Sequence, residues 1–198
     1  MRYIFVLVFF IIGNFSFIRA QVLVSDFNNK KFINNLGGMF GWFDFDPNDK
    51  DAYCRVKFIK DKELHFKGNF LRVDYDVFSK KTAFNGLWFK LKSLNLKPYK
   101  NLMFRIKGDV YKGIPDTFKI ELKAKGKVVY FIFKNDNKED YGKIGLKWSF
   151  IKIPLVKFKH QSGYFDFSSV DELVFVFEDS RMKVKEGRIY LDDIMFVK

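Results

Sequence analysis

The sequence is short of the residues on which most catalytic and metal centres depend. Its 198 residues include one cysteine, Cys54, and two histidines, His65 and His160. A single cysteine excludes an internal disulfide, so the fold must rest on packing, and we expect Cys54 to be a small buried hydrophobic residue. The histidines show no metal-ligand spacing, and no Gly-x-Ser-x-Gly motif is present. These absences predict a protein that is not an enzyme.

Helical periodicity is also missing. Apolar residues instead alternate with polar ones at period two, the pattern of half-buried antiparallel strands. Turn residues such as Lys107–Gly108–Asp109 and Lys125–Gly126–Lys127 separate the runs at short intervals. About ten short strands at this spacing predict an all-β fold, a two-sheet antiparallel β-sandwich. The clearest runs are Leu71–Val77, Leu87–Leu91, Leu102–Ile106 and Phe118–Leu122, with further strands near Val22–Phe27, Val128–Lys134, Leu146–Pro154, Glu172–Glu178 and Arg188–Val197.

The N-terminus has the pattern of an export signal. Arg2 precedes the apolar run Tyr3–Ile12, which has the length of a signal-peptide hydrophobic region and is too short to span a bilayer comfortably. Ala20 offers a small residue for cleavage, whereas Ile18 does not fit the small-x-small pattern. We predict a signal peptide over residues 1–20, with an uncleaved N-terminal anchor as the alternative. The protein is then secreted or periplasmic.

The remaining residues, 21–198, are predicted to form one β-sandwich domain with no transmembrane span, since no composition shift or repeat marks a second domain. The chain has 36 Lys and Arg against 23 Asp and Glu, and loss of Arg2 and Arg19 would lower the net charge from +13 to +11. Lysines are spread through all the strands, as on a solvated β surface. In an exported protein this charge favours an anionic glycan, lipopolysaccharide or membrane surface over nucleic acid.

The same alternation predicts candidate binding residues. Trp88 lies opposite the apolar positions of its strand, and an outer face with a tryptophan among mixed charges suits stacking on a sugar ring. The alternative is an ordinary charged sheet surface with Trp88 covered by a loop. Asp74 and Asp76 lie about 7 Å apart along one strand, a separation also found in glycosidases, but the nearby basic residues favour surface ion pairs. The candidate ligand-binding residues are Trp88, Trp42, Arg72, Asp74, Asp76, Lys90 and Arg105.

A glycine-containing stretch, residues 34–42, is predicted to be a shaped loop because Gly37, Gly38 and Gly41 allow close backbone approach. It lacks the spacing of a nucleotide-binding loop. Trp42 at its end either forms an aromatic rim beside the sheet or packs the loop against the sandwich.

Six segments in order resemble the galactose-binding-like jelly rolls, in particular the carbohydrate-binding modules of the family 11 type and the complex I intermediate-associated protein 30 domain. The segments are Val24–Phe27, Asn34–Trp42, Leu94–Gly108, Trp148–Leu155, Leu173–Glu178 and Gly187–Ile194. The resemblance implies a jelly-roll fold over nearly the whole of residues 21–198. It also implies a structural calcium ion where the first and last strands meet, held by Asp26 with Asp192 or Asp193. Ser25 replaces the usual second acid beside Asp26.

Two functions remain open at this point. The first is a non-catalytic carbohydrate-binding protein that holds a poly- or oligosaccharide on a sheet face or at a loop rim. The second is a free-standing periplasmic protein-interaction or assembly factor of the complex I intermediate-associated type, with a protein partner. A concave polar groove with one or two aromatic residues favours the glycan, and a large exposed apolar patch favours the protein partner.

Overall fold

The computed structural model describes residues 21–60, 68–136, 140–161 and 163–198. The expected signal peptide, residues 1–20, lies outside these described ranges.

Twelve β-strands form two antiparallel sheets within the described ranges, and the helical structure there is one 3-10 turn, Leu155–Lys157. In chain order the strands are β1 (Gln21–Ser25), β2 (Phe40–Asp44), β3 (Tyr53–Lys60), β4 (Asn69–Asp76), β5 (Phe84–Leu94), β6 (Asn101–Gly108), β7 (Thr117–Ala124), β8 (Lys127–Lys134), β9 (Ser149–Pro154), β10 (Lys159–His160), β11 (Val170–Glu178) and β12 (Glu186–Val197). The first sheet has the order β3-β4-β12-β6-β9, with β1 paired to β12, and the second has the order β10-β8-β7-β11-β5-β2. The predicted two-sheet antiparallel β-sandwich is confirmed.

Period-two alternation places one side of each main strand in the core between the sheets. In β5, Leu87 and Phe89 are fully buried, and Phe175 of β11 is 1% exposed. The ring of Phe175 lies 5.3 Å from that of Phe104 in the first sheet, so aromatic contacts join the two layers. Cys54 is also buried, and burial raises the pKa of its thiol far above the ordinary value, which makes it chemically inert.

The stretch 34–42 is a loop only in its first part. The expectation of a loop throughout is wrong, because Phe40 begins β2 and pairs with Phe89 of β5. The sequence suggests that Gly41 gives flexibility to a loop, but its role is to leave space. A Cβ atom there would lie 3.0 Å from the indole of Trp88. The small residue makes room for a ring on the sheet and is not part of a turn.

Asn34 holds the remaining loop against β5. Its side chain is 3% exposed, and its amide nitrogen Nδ2 donates to the Lys90 carbonyl over 2.8 Å. Its oxygen Oδ1 accepts the backbone N–H groups of Leu36 and Gly38, each at 3.0 Å. Since buried hydrogen bonds fix backbone positions, the loop forms a stable wall next to the outer face of β5.

Candidate functional site

Trp88 lies on the outer face of the second sheet. Its neighbours in β5, Leu87 and Phe89, face the core, so the indole extends to the opposite side. Gly41 of β2 is the cross-strand partner of Trp88, and the ring occupies the space that a side chain at Gly41 would fill. The result is an aromatic ring supported from below by backbone, a geometry suited to stacking on a flat apolar ligand surface.

Two surface pockets flank this ring. One, of about 460 Å³, lies between Trp88 and the loop wall at Gly37, Gly38 and Met39. The other, of about 340 Å³, lies toward β11 and is also lined by Phe43, Glu172 and Val174. Trp88 and Lys90 border both pockets. Together they form an open groove with an aromatic platform at its centre.

Polar groups surround the platform. The Lys90 ammonium pairs with Glu172 and lies 5.8 Å from the Trp88 ring centre. In the pocket beside the loop, the Ser93 hydroxyl donates to Asp171 over 2.9 Å. Hydroxyl, carboxylate and ammonium groups around one aromatic ring provide both donors and acceptors for the hydroxyl groups of a sugar.

A line of paired residues continues from Trp88 across the sheet. Val174 of β11 pairs with Trp88, Glu121 of β7 pairs with Val174, and Tyr130 of β8 pairs with Glu121. Neighbouring strands lie about 4.8 Å apart, so Trp88 and Tyr130 are separated by about 14 Å. The outer face therefore carries two aromatic residues in register on either side of a shared floor.

Ion pairs neutralise the middle of this floor. Glu121 lies 2.8 Å from the Lys119 ammonium and 3.4 Å from that of Lys123, and Lys119 also pairs with Glu178. Burial acts to lower the pKa of Lys119, but hydrogen bonds to Glu121 and Glu178 outweigh it and raise the pKa above the ordinary value. These charges stabilise one another and leave the centre of the face close to neutral.

The predicted ligand-binding residues do not share one face. Trp88 and Lys90 lie on the outer side of the second sheet, whereas Arg72, Asp74 and Asp76 lie in β4 and Arg105 in β6, both in the first sheet. The expectation of one charged face around the tryptophan is therefore wrong for these four. Alternation identifies the side of a strand that a residue occupies, but it does not identify the sheet to which the strand belongs.

Trp42 lies on the other side of β2 from the groove. It pairs with Leu87, whose side chain is in the core, and its ring centre is 5.5 Å from that of Phe32. The side chain is 40% exposed at the sheet edge. The sequence left open whether Trp42 forms an aromatic rim or packs the preceding loop against the sandwich. This contact fits the second interpretation.

The charged residues of the first sheet bind one another. Asp74 pairs with both Arg72 and Arg188, and Asp76 accepts the backbone N–H of Phe78 over 2.7 Å. Arg105 is 6% exposed and its guanidinium lies 4.7 Å from the Trp148 ring centre. These contacts give the four residues structural partners in the protein itself.

The carboxylates expected to hold calcium meet at an irregularity in β12. Asp192 and Asp193 occupy a β-bulge at the point where β12 stops pairing with β4 and begins pairing with β1, and Asp193 has a positive φ of 46°. The Arg105 guanidinium lies 3.1 Å from Asp193 and 3.6 Å from Asp192. Asp26, just beyond β1, is close enough to raise the pKa of Asp192.

Calcium at this bulge stays a prediction. Within the described ranges, no three His, Cys, Asp or Glu side chains come together in an arrangement that could hold a metal ion. The Arg105 guanidinium already supplies positive charge to both bulge carboxylates.

The raised pKa of Asp192 at the bulge predicts that the stability of the fold depends on pH. Burial, then the neighbouring charge of Asp193, raises the pKa of Asp192 from 3.8 to about 7. Between these values the folded protein keeps a proton that the unfolded chain has released, so this carboxyl destabilises the fold increasingly as pH rises through the window. We expect Asp192→Asn to become progressively more stable than the wild type between about pH 4 and pH 7, by less than the about 4 kcal/mol of the full shift, because solvent screens this partly exposed carboxyl.

Urea denaturation of both proteins across this range measures the effect. The difference between them isolates Asp192 from other carboxylates whose lowered pKa values act in the opposite direction. Asp51→Asn, at an exposed position, is the matched control. A stability difference that does not change with pH would contradict the assignment.

The two-sheet jelly roll is the fold of carbohydrate-binding-module-like proteins, as the resemblance in the sequence predicts. The family model for carbohydrate binding domain 30 matches residues 37–198. The chain belongs to the carbohydrate binding domain 30 family.

Solved structures share the fold. The family 11 carbohydrate-binding module from Clostridium thermocellum, in complex with a β-1,3-1,4-mixed-linked tetrasaccharide, superposes with a TM-score of 0.62 at 16% identity, covering 89% of this chain and 95% of the module. The family 30 module of the cellulosomal cellulase Cel9D-Cel44B of the same organism gives 0.55 at 19% identity, covering 81% and 91%. No curated protein matches the sequence. Among the described residues, no helix is both long enough and apolar enough to cross a membrane.

Proposed function

We propose that this protein is an exported, non-catalytic carbohydrate-binding module that holds a poly- or oligosaccharide on the outer face of its second sheet. The observation that carries the proposal is the position of Trp88, whose ring lies over Gly41 between two pockets. Membership of the carbohydrate binding domain 30 family supports a glycan as the ligand.

The groove suits binding without bond cleavage. A pyranose ring presents apolar C–H groups on its faces and hydroxyl groups around its edge, so one face stacks on the indole while the edge reaches Lys90 and Glu172. Stacking and hydrogen bonding require no group with a shifted pKa. Lys90 and Glu172 pair with each other, and ammonium and carboxylate groups make strong hydrogen bonds to hydroxyl groups.

The family 11 module solved with a bound tetrasaccharide shows that this fold holds a saccharide in a relative. At 16% identity the likeness shows only that the fold is shared. The aromatic groove of this chain supports the same class of ligand. The export signal predicted over residues 1–20 supports a location in the periplasm or outside the cell, where such polymers are found.

Binding of the purified protein to a panel of neutral and anionic polysaccharides tests the proposal. We expect saturable binding to at least one polymer at about 150 mM salt, where weak surface attraction is largely screened. Affinity electrophoresis at two salt concentrations, followed by isothermal titration, measures it. Failure to bind any member of the panel would contradict the proposal.

One observation favours the second candidate, a protein-interaction factor. The rings of Phe32 and Trp42 contact each other at a sheet edge, and they are 39% and 40% exposed. Exposed aromatic pairs of this kind also occur where a protein partner docks. If no polysaccharide binds, Trp42→Ala in a partner-capture experiment distinguishes this edge from the groove.

A further inference from the structure

A third surface pocket lies across the second sheet from Trp88. It has a volume of about 530 Å³ and is bordered by Tyr130 and Ile132 of β8 and by Lys159 of β10. Lys159 is the cross-strand partner of Tyr130, so the pocket continues the line that runs from Trp88 through Val174 and Glu121. A ligand that crosses the strands in this direction meets both aromatic residues.

The charge of this pocket differs from that of the groove at Trp88. There, Lys90 pairs with Glu172 and Lys123 pairs with Glu121, so Lys92 is the one lysine of the described groove lining without an ion pair. Around Tyr130, three exposed lysines have no carboxylate within ion-pair distance among the described residues. They are Lys134, Lys157 and Lys159.

The other charged groups at the pocket do not cancel these lysines. Arg181 also borders it and is held by Glu178, and Asp136 is the one acidic residue among the described lining residues. Within its described lining, the pocket thus combines an aromatic side chain with a local excess of positive charge. Ammonium groups around a ring are suited to a sugar that carries an acidic substituent, because each lysine supplies a mobile cation and three N–H donors.

We propose that the saccharide is anionic and spans both pockets, with one sugar on Trp88 and an acidic sugar, bearing carboxylate or sulfate, beside Tyr130 and the three lysines. This rests on the proposed function, since it assigns the polymer class and a second subsite to the same face. The ligand must then extend across three strand spacings, about 14 Å along the sheet.

Matched ligands test the charge. Polygalacturonate and its fully methyl-esterified form share a backbone and differ in carboxylate charge, while dextran sulfate and dextran make the same comparison for sulfate. In about 150 mM salt we expect at least one charged polymer to bind about tenfold more tightly than its neutral form. The pair that shows the preference identifies the acidic group. Equal affinity within both pairs would overturn this inference while leaving carbohydrate binding itself in place.

Matched variants test the location. We expect Lys157→Gln/Lys159→Gln to lower affinity for the preferred charged polymer about tenfold and to leave affinity for its neutral form unchanged. The control, Lys57→Gln/Lys152→Gln, makes the same change in net charge at exposed positions of the first sheet. If the control weakens binding as much as the pocket variant does, only overall charge matters and the subsite is overturned. If no polymer binds, the proposed function fails with it.

Discussion

Trp88→Ala is expected to lower polysaccharide affinity about 30-fold or more while leaving the fold intact. An aromatic anchor at the centre of a binding surface contributes about 2 kcal/mol or more when truncated, and every 1.4 kcal/mol is a factor of about ten. The side chain lies outside the core, so its removal creates no cavity between the sheets. Isothermal titration gives the affinity, and urea denaturation confirms that stability is kept.

Tyr111→Ala is the matched control, because Tyr111 is 93% exposed in the connection between β6 and β7 and borders none of the three pockets. A Trp88 variant that binds as well as the control would show that the groove is not the binding site.

Gly41→Ala adds a finer test. Its Cβ atom would lie 3.0 Å from the indole, so the ring must shift, and we expect a smaller loss of affinity than in Trp88→Ala. Unchanged affinity in Gly41→Ala would show that the resting position of the ring is not its binding position.

Much of the fold follows from the sequence because strand alternation is a local property. In β5, each residue from Leu87 to Leu91 can be assigned to the core or to the outside from its immediate neighbours. The same local pattern identified Trp88 and Lys90 as residues of an outer face. The β2 strand was harder to predict, since Gly41 resembles a loop residue until its contact with Trp88 is known.

The composition of the binding face could not be derived in the same way. It depends on the order β8-β7-β11-β5, in which β5 and β11 are neighbours although about eighty residues separate them in sequence. Tyr130 was missed for this reason. The local signal was present, because Val129, Phe131 and Phe133 are buried and so place Tyr130 on the outer side of β8. Nothing in the local sequence shows that this side is shared with Trp88.

Phe175→Ala is expected to cost about 3–5 kcal/mol of the free energy of unfolding, a large part of the about 5–15 kcal/mol typical of a domain. Phe175 lies in β11 at the centre of the second sheet, and its ring contacts Phe104 at 5.3 Å, Phe89 at 6.2 Å and Phe118 at 6.2 Å. Removal of the ring leaves a cavity between the sheets, and Cys54, the single cysteine, offers no disulfide to limit the loss.

Urea denaturation measures this loss, with Phe78→Ala as the control because Phe78 is 72% exposed. We expect the control to change stability by less than about 0.5 kcal/mol and Phe175→Leu to lie between the two, since leucine fills part of the cavity. β11 also carries Val174 and Glu172, which border the groove beside Trp88. Phe175 itself faces the core and borders neither groove pocket, so at a temperature where the Phe175→Ala protein is still folded its polysaccharide affinity should stay close to that of the wild type, in contrast to the loss expected for Trp88→Ala. A loss of stability below about 1 kcal/mol would mean that the aromatic contacts between the sheets do not hold this fold together.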